Sequence, residues 1–339
     1  MKRKLIYATL LSFLLVLVSS CSQEQPSKNI KLTYSNFFPP SHIQSKLAES
    51  WCKEVEKRTG GEVAVEYFPG GTLTKAKNCY DGVVDGISDV GMSVLAYSRG
   101  RFPVLAAVDL PLGYKSGQTA TKVANMVYKE FAPKEFDDTH IMFFHAHGPG
   151  LIHTKDKPVK NMADLQGMKL RATGNSAKVV KALGGTPVGM PMPDSYQSIQ
   201  KGIVQGGVYP LETNKGWKMG EVVKYCTVSH DIAYTTTFFV TMNKDKWNKI
   251  SPKNQKIIEN INEEWIVKHG KAWDESDKLG KEFFLSKGNK IIELDASESK
   301  KWKKAVEPIL QVYMDNMKKK NIAGDKVLAY TTKTLEKLQ

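Results

Sequence analysis

The sequence predicts an α/β protein of two lobes, each a parallel-type sheet flanked by helices, with crossing hinge strands and one long bridging helix. Three observations carry that reading. Residues 31–94 alternate strand and helix patterns in β-α-β-α-β order, which sets strands in parallel and helices on the sheet faces. A second series of the same kind recurs in the middle of the chain. After Ser251-Pro252 comes a helical stretch of about 35 residues, some 50 Å long and wider than one small lobe.

The first lobe opens with "KLTYSNFFPP", a strand running into a proline-stopped loop. In "SHIQSKLAESWCKEVEKRTGG" Ser41 can cap, Ile43, Leu47, Trp51 and Val55 recur every four residues, and Gly60-Gly61 ends the run, which makes an amphipathic helix. "EVAVEYFPGG" alternates like a strand and closes in a turn, a helix covers roughly Lys75 to Val84, and "DVGMSV" is a further strand. For the second lobe, "HIMFFHAH", "GLIHTK" and "MKLRA" read as strands and residues 175–183 as a helix stopped by Gly184-Gly185. "TPVGMP" then reads as a strand and "PDSYQSIQKG" as a helix with Pro193 in its first turn. "AYTTTFFVTMN" is longer than one lobe needs and is expected to cross between lobes, and a last helix should run from about Glu298 to Lys319. Lobe I then takes 31–148 plus about 237–276, and lobe II takes 149–236 plus about 277–339.

The first 21 residues set the compartment. Lys2, Arg3 and Lys4 precede an apolar run from Leu5 to Val18, and Ser19-Ser20-Cys21 follows. A basic start and a short apolar run describe a secretory signal; the run is too short to cross about 30 Å of hydrocarbon comfortably. "VSSC" resembles a bacterial lipoprotein cleavage site, which implies that Cys21 is lipidated and anchors the mature protein outside the cytoplasm. Residues 22–30 are polar and suit a flexible tether.

The formal charge is +14, yet the lysines are scattered with no arginine cluster, so the charge reads as a solvated surface and not as a nucleic-acid interface. Cys52 and Cys79 lie on consecutive helical stretches, and export would permit a disulfide between them; each could instead be a small buried hydrophobe. His145, His147 and His153 have no clustered carboxylate or cysteine beside them, so no metal is expected, and no cofactor motif is present. His147, at a strand end, is expected to line the cleft as a hydrogen-bond donor. There is no Gly-x-Ser-x-Gly elbow and no Ser-His-Asp arrangement, which argues against an enzyme.

Open α/β lobes bind ligands at the carboxyl ends of their strands, so two lobes joined by crossing strands would hold one in the cleft between them. "ADLQGMKLRA", followed by "ALGGTPVGMPMPDSYQSIQKGIVQGG", resembles the solute receptors of tripartite ATP-independent periplasmic (TRAP) transporters, in the dicarboxylate-receptor branch. "YFPGGTLTK" and "GVVDGISDVGMS" agree, and the match runs from about Lys31 to the end. The resemblance implies a type II-like two-lobed binding protein, delivering a small organic acid to small and large membrane subunits driven by an ion gradient. It also implies that Arg171 clamps the ligand's carboxylate, for which a planar guanidinium fork is suited. Three positions depart from the family: Gln205 replaces an aspartate, Tyr209 an asparagine often found there, and Leu151 the second arginine of some sialic-acid receptors.

The departures point away from sialic acids and short dicarboxylates. Tyr209 and Trp217 suggest an aromatic wall and Met192 a soft apolar contact, with Thr173 beside the clamp. The expected ligand is an organic acid with one essential carboxylate and a flat or apolar body. From lobe I, Tyr34, Phe37, Thr72, Ser93 and Tyr97 are candidates because they follow strand ends. A binding protein of the same plan serving an ATP-driven importer or a sensor kinase is the alternative.

Overall fold

Residues 29–339 are described by a computed structural model of the chain. The secretory signal, Cys21 and most of the tether lie outside the described residues. Lobe I is built from β1 (Ile30–Asn36), α1 (Ile43–Arg58), β2 (Val63–Phe68), α2 (Cys79–Val84), β3 (Val90–Val94), α3 (Gly117–Phe131) and β4 (Thr139–Ala146). Lobe II holds β5 (Leu151–Thr154), β6 (Lys169–Arg171), α4 (Gly174–Ala182), β7 (Thr186–Val188), α5 (Ser195–Gln200), β8 (Gly206–Tyr209), α6 (Thr213–Gly216) and β9 (Tyr225–Val228). The chain then returns through β10 (Thr237–Asn243), α7 (Lys244–Lys249), α8 (Pro252–Ser286), β11 (Lys290–Glu293), α9 (Ala296–Val306), α10 (Pro308–Lys319) and α11 (Gly324–Leu338).

The two sheets share one plan. Their orders are β2-β1-β3-β10-β4 and β11-β9-β5-β8-β6-β7. β1 pairs in parallel with β2 and β3, as β6 does with β7 and β8. Each sheet is nonetheless mixed, not all-parallel, because one strand arrives from the other lobe and runs antiparallel: β10 in the first, β5 in the second. "HIMFFHAH" therefore belongs to lobe I as β4, and the chain crosses at residues 147–150. It crosses back at 229–236, where Gly150 and Tyr234 form an isolated bridge. Of the long apolar run after Ala233 only β10 is strand; the rest is the crossing. Asp109, buried beneath it, accepts from the backbone N–H and the hydroxyl of Thr237 at 2.8 and 2.7 Å and fixes where β10 begins.

Helix α8 is the strap. Ser251 caps it by accepting from the N–H of Asn254, and Pro252 occupies the first turn, where its missing N–H costs nothing. Its buried residues run from Asn254, Ile258 and Ile261 through Trp265, His269 and Trp273 to Gly280 and Phe284. The early turns pack on α1, α3 and β4, the later ones on α6 and β11. Two glycines let the helix approach that closely. A Cβ on Gly270 would stand 3.1 Å from the Cα of Gln118, and one on Gly280 only 2.1 Å from the carbonyl oxygen of Leu211.

Four further expectations are corrected. The cap of α1 is His42, whose Nδ1 accepts from the N–H of Gln44, so the helix starts later and Ile43 is exposed. The last helix is broken at Pro308, which cannot donate within a helix interior, and α11 follows it. α11 packs on α3, so residues 277–339 are not a lobe II segment alone. Cys52 and Cys79 are free and buried. They cannot pair because α1 and α2 cover opposite faces of the first sheet. Cys52 packs with Leu32, Tyr34 and Met92, whereas Cys79 lies over Gly91 on the reverse face. Among the described residues no helix is long and apolar enough to cross a membrane.

Gly→Ala inside a helix ordinarily stabilises by about 1 kcal/mol. Gly280→Ala should do the reverse, lowering stability by about 2 kcal/mol or more in urea unfolding, because the methyl group meets the Leu211–Glu212 backbone. An unchanged or raised midpoint would mean that the strap does not bear on that segment.

Candidate functional site

A cleft with a cavity of about 40 Å³ lies between the lobes at the carboxyl ends of β3, β6 and β8. Lobe I supplies Phe37, Phe38, Val94, Tyr97 and, on β10, Phe238, the crossings supply His147, Tyr234 and Thr236, and lobe II supplies the remainder, Arg171 and Trp217 among them. Mostly apolar walls with a few convergent polar groups suit a small molecule.

Arg171 ends β6 and is only 5% exposed. Its Nε donates to the carbonyl of Met190 at 3.1 Å, Nη1 to the carbonyl of Val208 at 3.3 Å, and Nη2 to the hydroxyl of Tyr97 at 3.4 Å. Those contacts use three of five N–H donors, and all three acceptors are neutral. Among the described residues no carboxylate lies within ion-pair distance of this guanidinium. A buried charge left so is costly until an anion joins it. Helix α4 starts next to it: Thr173 and Ser176 cap each other, and Gly174, at φ +52°, brings the turn within reach of lobe I. A Cβ at Gly174 would stand 2.8 Å from the Cβ of Ala96.

Tyr97 ties the lobes together. Its hydroxyl accepts from Arg171 and from the N–H of Met192 at 2.9 Å, so its own proton remains to be donated. Beyond it runs an aromatic wall. Phe37 is 5.9 Å from Tyr97 and stacks near-parallel on Trp217 and Phe238, and Phe38 stands 5.6 Å from Trp217 and 4.4 Å from the ring of His42. His42 Nε2 meets Glu212 Oε2 at 2.9 Å, lobe to lobe.

Residues 34–317 match the model of the DctP family, bacterial extracellular solute-binding protein family 7. The chain belongs to this family. It is therefore a solute-binding receptor of the periplasmic TRAP class, and not an enzyme. It is similar to a TRAP periplasmic solute-binding protein from Desulfovibrio salexigens, at 32% identity and a TM-score of 0.80 over 91% of this chain and 96% of that one. A TRAP solute-binding protein from Rhodoferax ferrireducens, in complex with copurified benzoate, is 27% identical with a TM-score of 0.86, covering 91% and 98%. A marine metagenome TRAP protein specific for aromatic acid ligands, co-crystallised with 3-hydroxybenzoate, is 29% identical with a TM-score of 0.87, covering 92% and 99%.

In this DctP-family receptor, Arg171, Thr173, Met192, Tyr209, Trp217, His147, Phe37 and Tyr97 all line this cavity. Three of the expected residues do not reach it. Tyr34 is buried edge-on against Trp51 and Tyr67, inside lobe I. Ser93 points to the opposite sheet face and donates to the carbonyl of Ala76, and Thr72 lies in an exposed turn bonded to Pro69. Following a strand end is not enough, since alternate residues of a strand face opposite ways.

His147 holds a different role from the donor expected. Its Nδ1 sits 2.6 Å from the carbonyl oxygen of Gly148, which fixes the ring proton there and leaves Nε2 an acceptor in the neutral ring. Burial depresses its pKa to about 4. His145 stacks on His269 and accepts from the indole of Trp273, while His153 stacks on Tyr209 in lobe II. Among the described residues no group of three acidic, histidine or cysteine side chains could hold a metal ion. Sequence reasoning missed Phe38, Glu212, Tyr234 and Phe238; the double aromatic Phe37-Phe38 was the one local signal.

Burial holds His140 and His147 near 4 and His153 and His269 near 3, all depressed. Unfolded histidine protonates near 6.5, so below that pH the unfolded chain binds more protons than the folded one. The histidine contribution to stability is complete above about pH 6.5 and falls away below it. Asp109 and Glu135, both raised to about 7 by burial, act in the opposite sense over the same range. The histidine part is therefore read by difference: the wild-type midpoint should lose more between pH 7.5 and 5 than that of His140→Gln, and equal changes would mean that this ring titrates normally.

Proposed function

We propose that this receptor captures a flat organic acid with a single carboxylate, of the aromatic monocarboxylate class, by closing its lobes on it. The observation that carries the reading is the buried Arg171 guanidinium with only neutral partners. A carboxylate taking the free N–H of Nη1 and of Nη2 would supply the missing counter-charge in a charge-assisted pair. The Tyr97 hydroxyl adds a proton donor from lobe I. The ring would lie against Phe37, Trp217 and Phe238, burying its apolar faces. Only contacts stronger in the closed form can shift the lobes toward closure, and the Arg171–Tyr97 pair is available only there because its two members come from different lobes. Benzoate and 3-hydroxybenzoate bound by similar proteins support the same class.

Delivery to a membrane permease driven by an ion gradient follows from family membership and belongs to the same proposal. So does lipid anchoring through Cys21, which rests on the leader sequence; mass spectrometry of the exported protein for an acylated Cys21 tests it.

Refolded protein, screened by thermal shift against organic acids, should gain about 2.7 kcal/mol from a ligand at a hundred times its dissociation constant. Arg171→Met should weaken binding of that acid about a hundredfold or more, and Tyr97→Phe about tenfold, with the unliganded melting midpoint of Tyr97→Phe little changed. Affinity surviving Arg171→Met would sink the clamp, and a response confined to non-acidic solutes would sink the ligand class.

A further inference from the structure

We infer that Glu212 forms a second polar subsite in the cavity, one that accepts a hydrogen bond from a hydroxyl on the ligand's ring and repels a second carboxylate. The inference rests on the aromatic-acid reading and deepens it.

Glu212 lines the same cavity as Arg171, is 3% exposed, and is connected to it through the aromatic wall. The path between them can be followed from ring to ring. Arg171 touches the Tyr97 hydroxyl, Tyr97 neighbours Phe37, Phe37 stacks on Trp217, and Trp217 stands 5.9 Å from His42, which holds Glu212. A flat body lying on that wall therefore presents its carboxylate to one end and its far edge to the other.

The protonation pattern makes Glu212 an acceptor. His42 Nδ1 accepts from the backbone N–H of Gln44, so in the neutral ring the proton is on Nε2 and is donated to Glu212 Oε2. Oε1 receives no hydrogen bond from any described residue. The backbone N–H of Glu212 donates to Asp277 Oδ1 at 2.8 Å, which places a second buried carboxyl group behind it. No lysine or arginine is within ion-pair distance of Glu212 among the described residues. Oε1 thus keeps acceptor capacity on the pocket wall, and a hydroxyl is the group that satisfies it. A second carboxylate is an acceptor facing an acceptor, and a methyl ether likewise has no proton to donate.

Calorimetric titration of the refolded protein compares benzoate and phenylacetate with their hydroxy, methoxy and second-carboxylate derivatives at the 3 and 4 positions. One hydroxy acid should bind about tenfold or more tighter than both its methoxy counterpart and the unsubstituted acid. The dicarboxylates should show no measurable heat. In Glu212→Gln the hydroxy-over-methoxy ratio should fall to threefold or less, whatever change in affinity all the acids share. Equal binding of the hydroxy and methoxy members by the wild-type protein overturns the subsite, and this comparison needs no variant to fold. A ratio that survives Glu212→Gln overturns it as well. Failure of every aromatic acid to bind would instead take down the aromatic-acid reading, and this subsite with it.

Discussion

A guanidinium with three neutral oxygens and no counter-ion is the constraint around which this receptor is organised. Burying a charge without a partner is unfavourable by several kcal/mol after relaxation, so the surroundings of Arg171 must do two things at once. They must hold the side chain by enough hydrogen bonds that its direction does not wander, and they must leave part of its fork unspent. The carbonyls of Met190 and Val208 do the first from within lobe II. The Tyr97 hydroxyl, from lobe I, adds the third contact and joins the site to closure. In the proposed function the ligand is the missing anion, which would make closing and binding one event.

Closure in turn relies on parts that are rigid by packing. Each sheet receives one antiparallel strand from the other lobe, so the crossings are pinned at both ends by ladder hydrogen bonds. The strap α8 runs across both lobes, and where it meets the Leu211–Glu212 segment only glycine fits. That segment follows β8 directly and carries Glu212 into the cavity. The scaffold and this part of the pocket are thus joined by the close approach at Gly280 and by the Glu212 N–H to Asp277 hydrogen bond, and the histidine–glutamate pair next to it links lobe to lobe.

Buried polarity is concentrated along this seam. Asp109 holds the start of β10 with its carboxyl pKa pushed up to about 7 by burial. Asp277, also raised by burial, caps the Glu212 N–H, and the histidines near the crossings are held neutral. Polar groups in such surroundings are costly unless each has a partner, and satisfied networks of this kind fix one arrangement of a core. That is what a hinge needs: two lobes free to part, and a defined geometry when they meet.

The sequence by itself determined the local and the repetitive. Strand and helix periods marked both lobes, the apolar pattern after Pro252 marked the strap at its full length, and the strand-to-helix turn at residues 171–174 marked the arginine. Those features are written in neighbours a few residues apart. Where the reading stopped at a strand end it misplaced Tyr34, Thr72 and Ser93, because the face a residue takes depends on which helix covers it. The disulfide expectation failed for the same reason, with Cys52 and Cys79 on opposite sides of one sheet. Only the tertiary structure decided that Tyr97 reaches Arg171 across 74 residues and that His42 reaches Glu212 across 170. Those pairings exist because the crossings and the strap fold one lobe against the other, and no period in the chain records which side chains will then face each other.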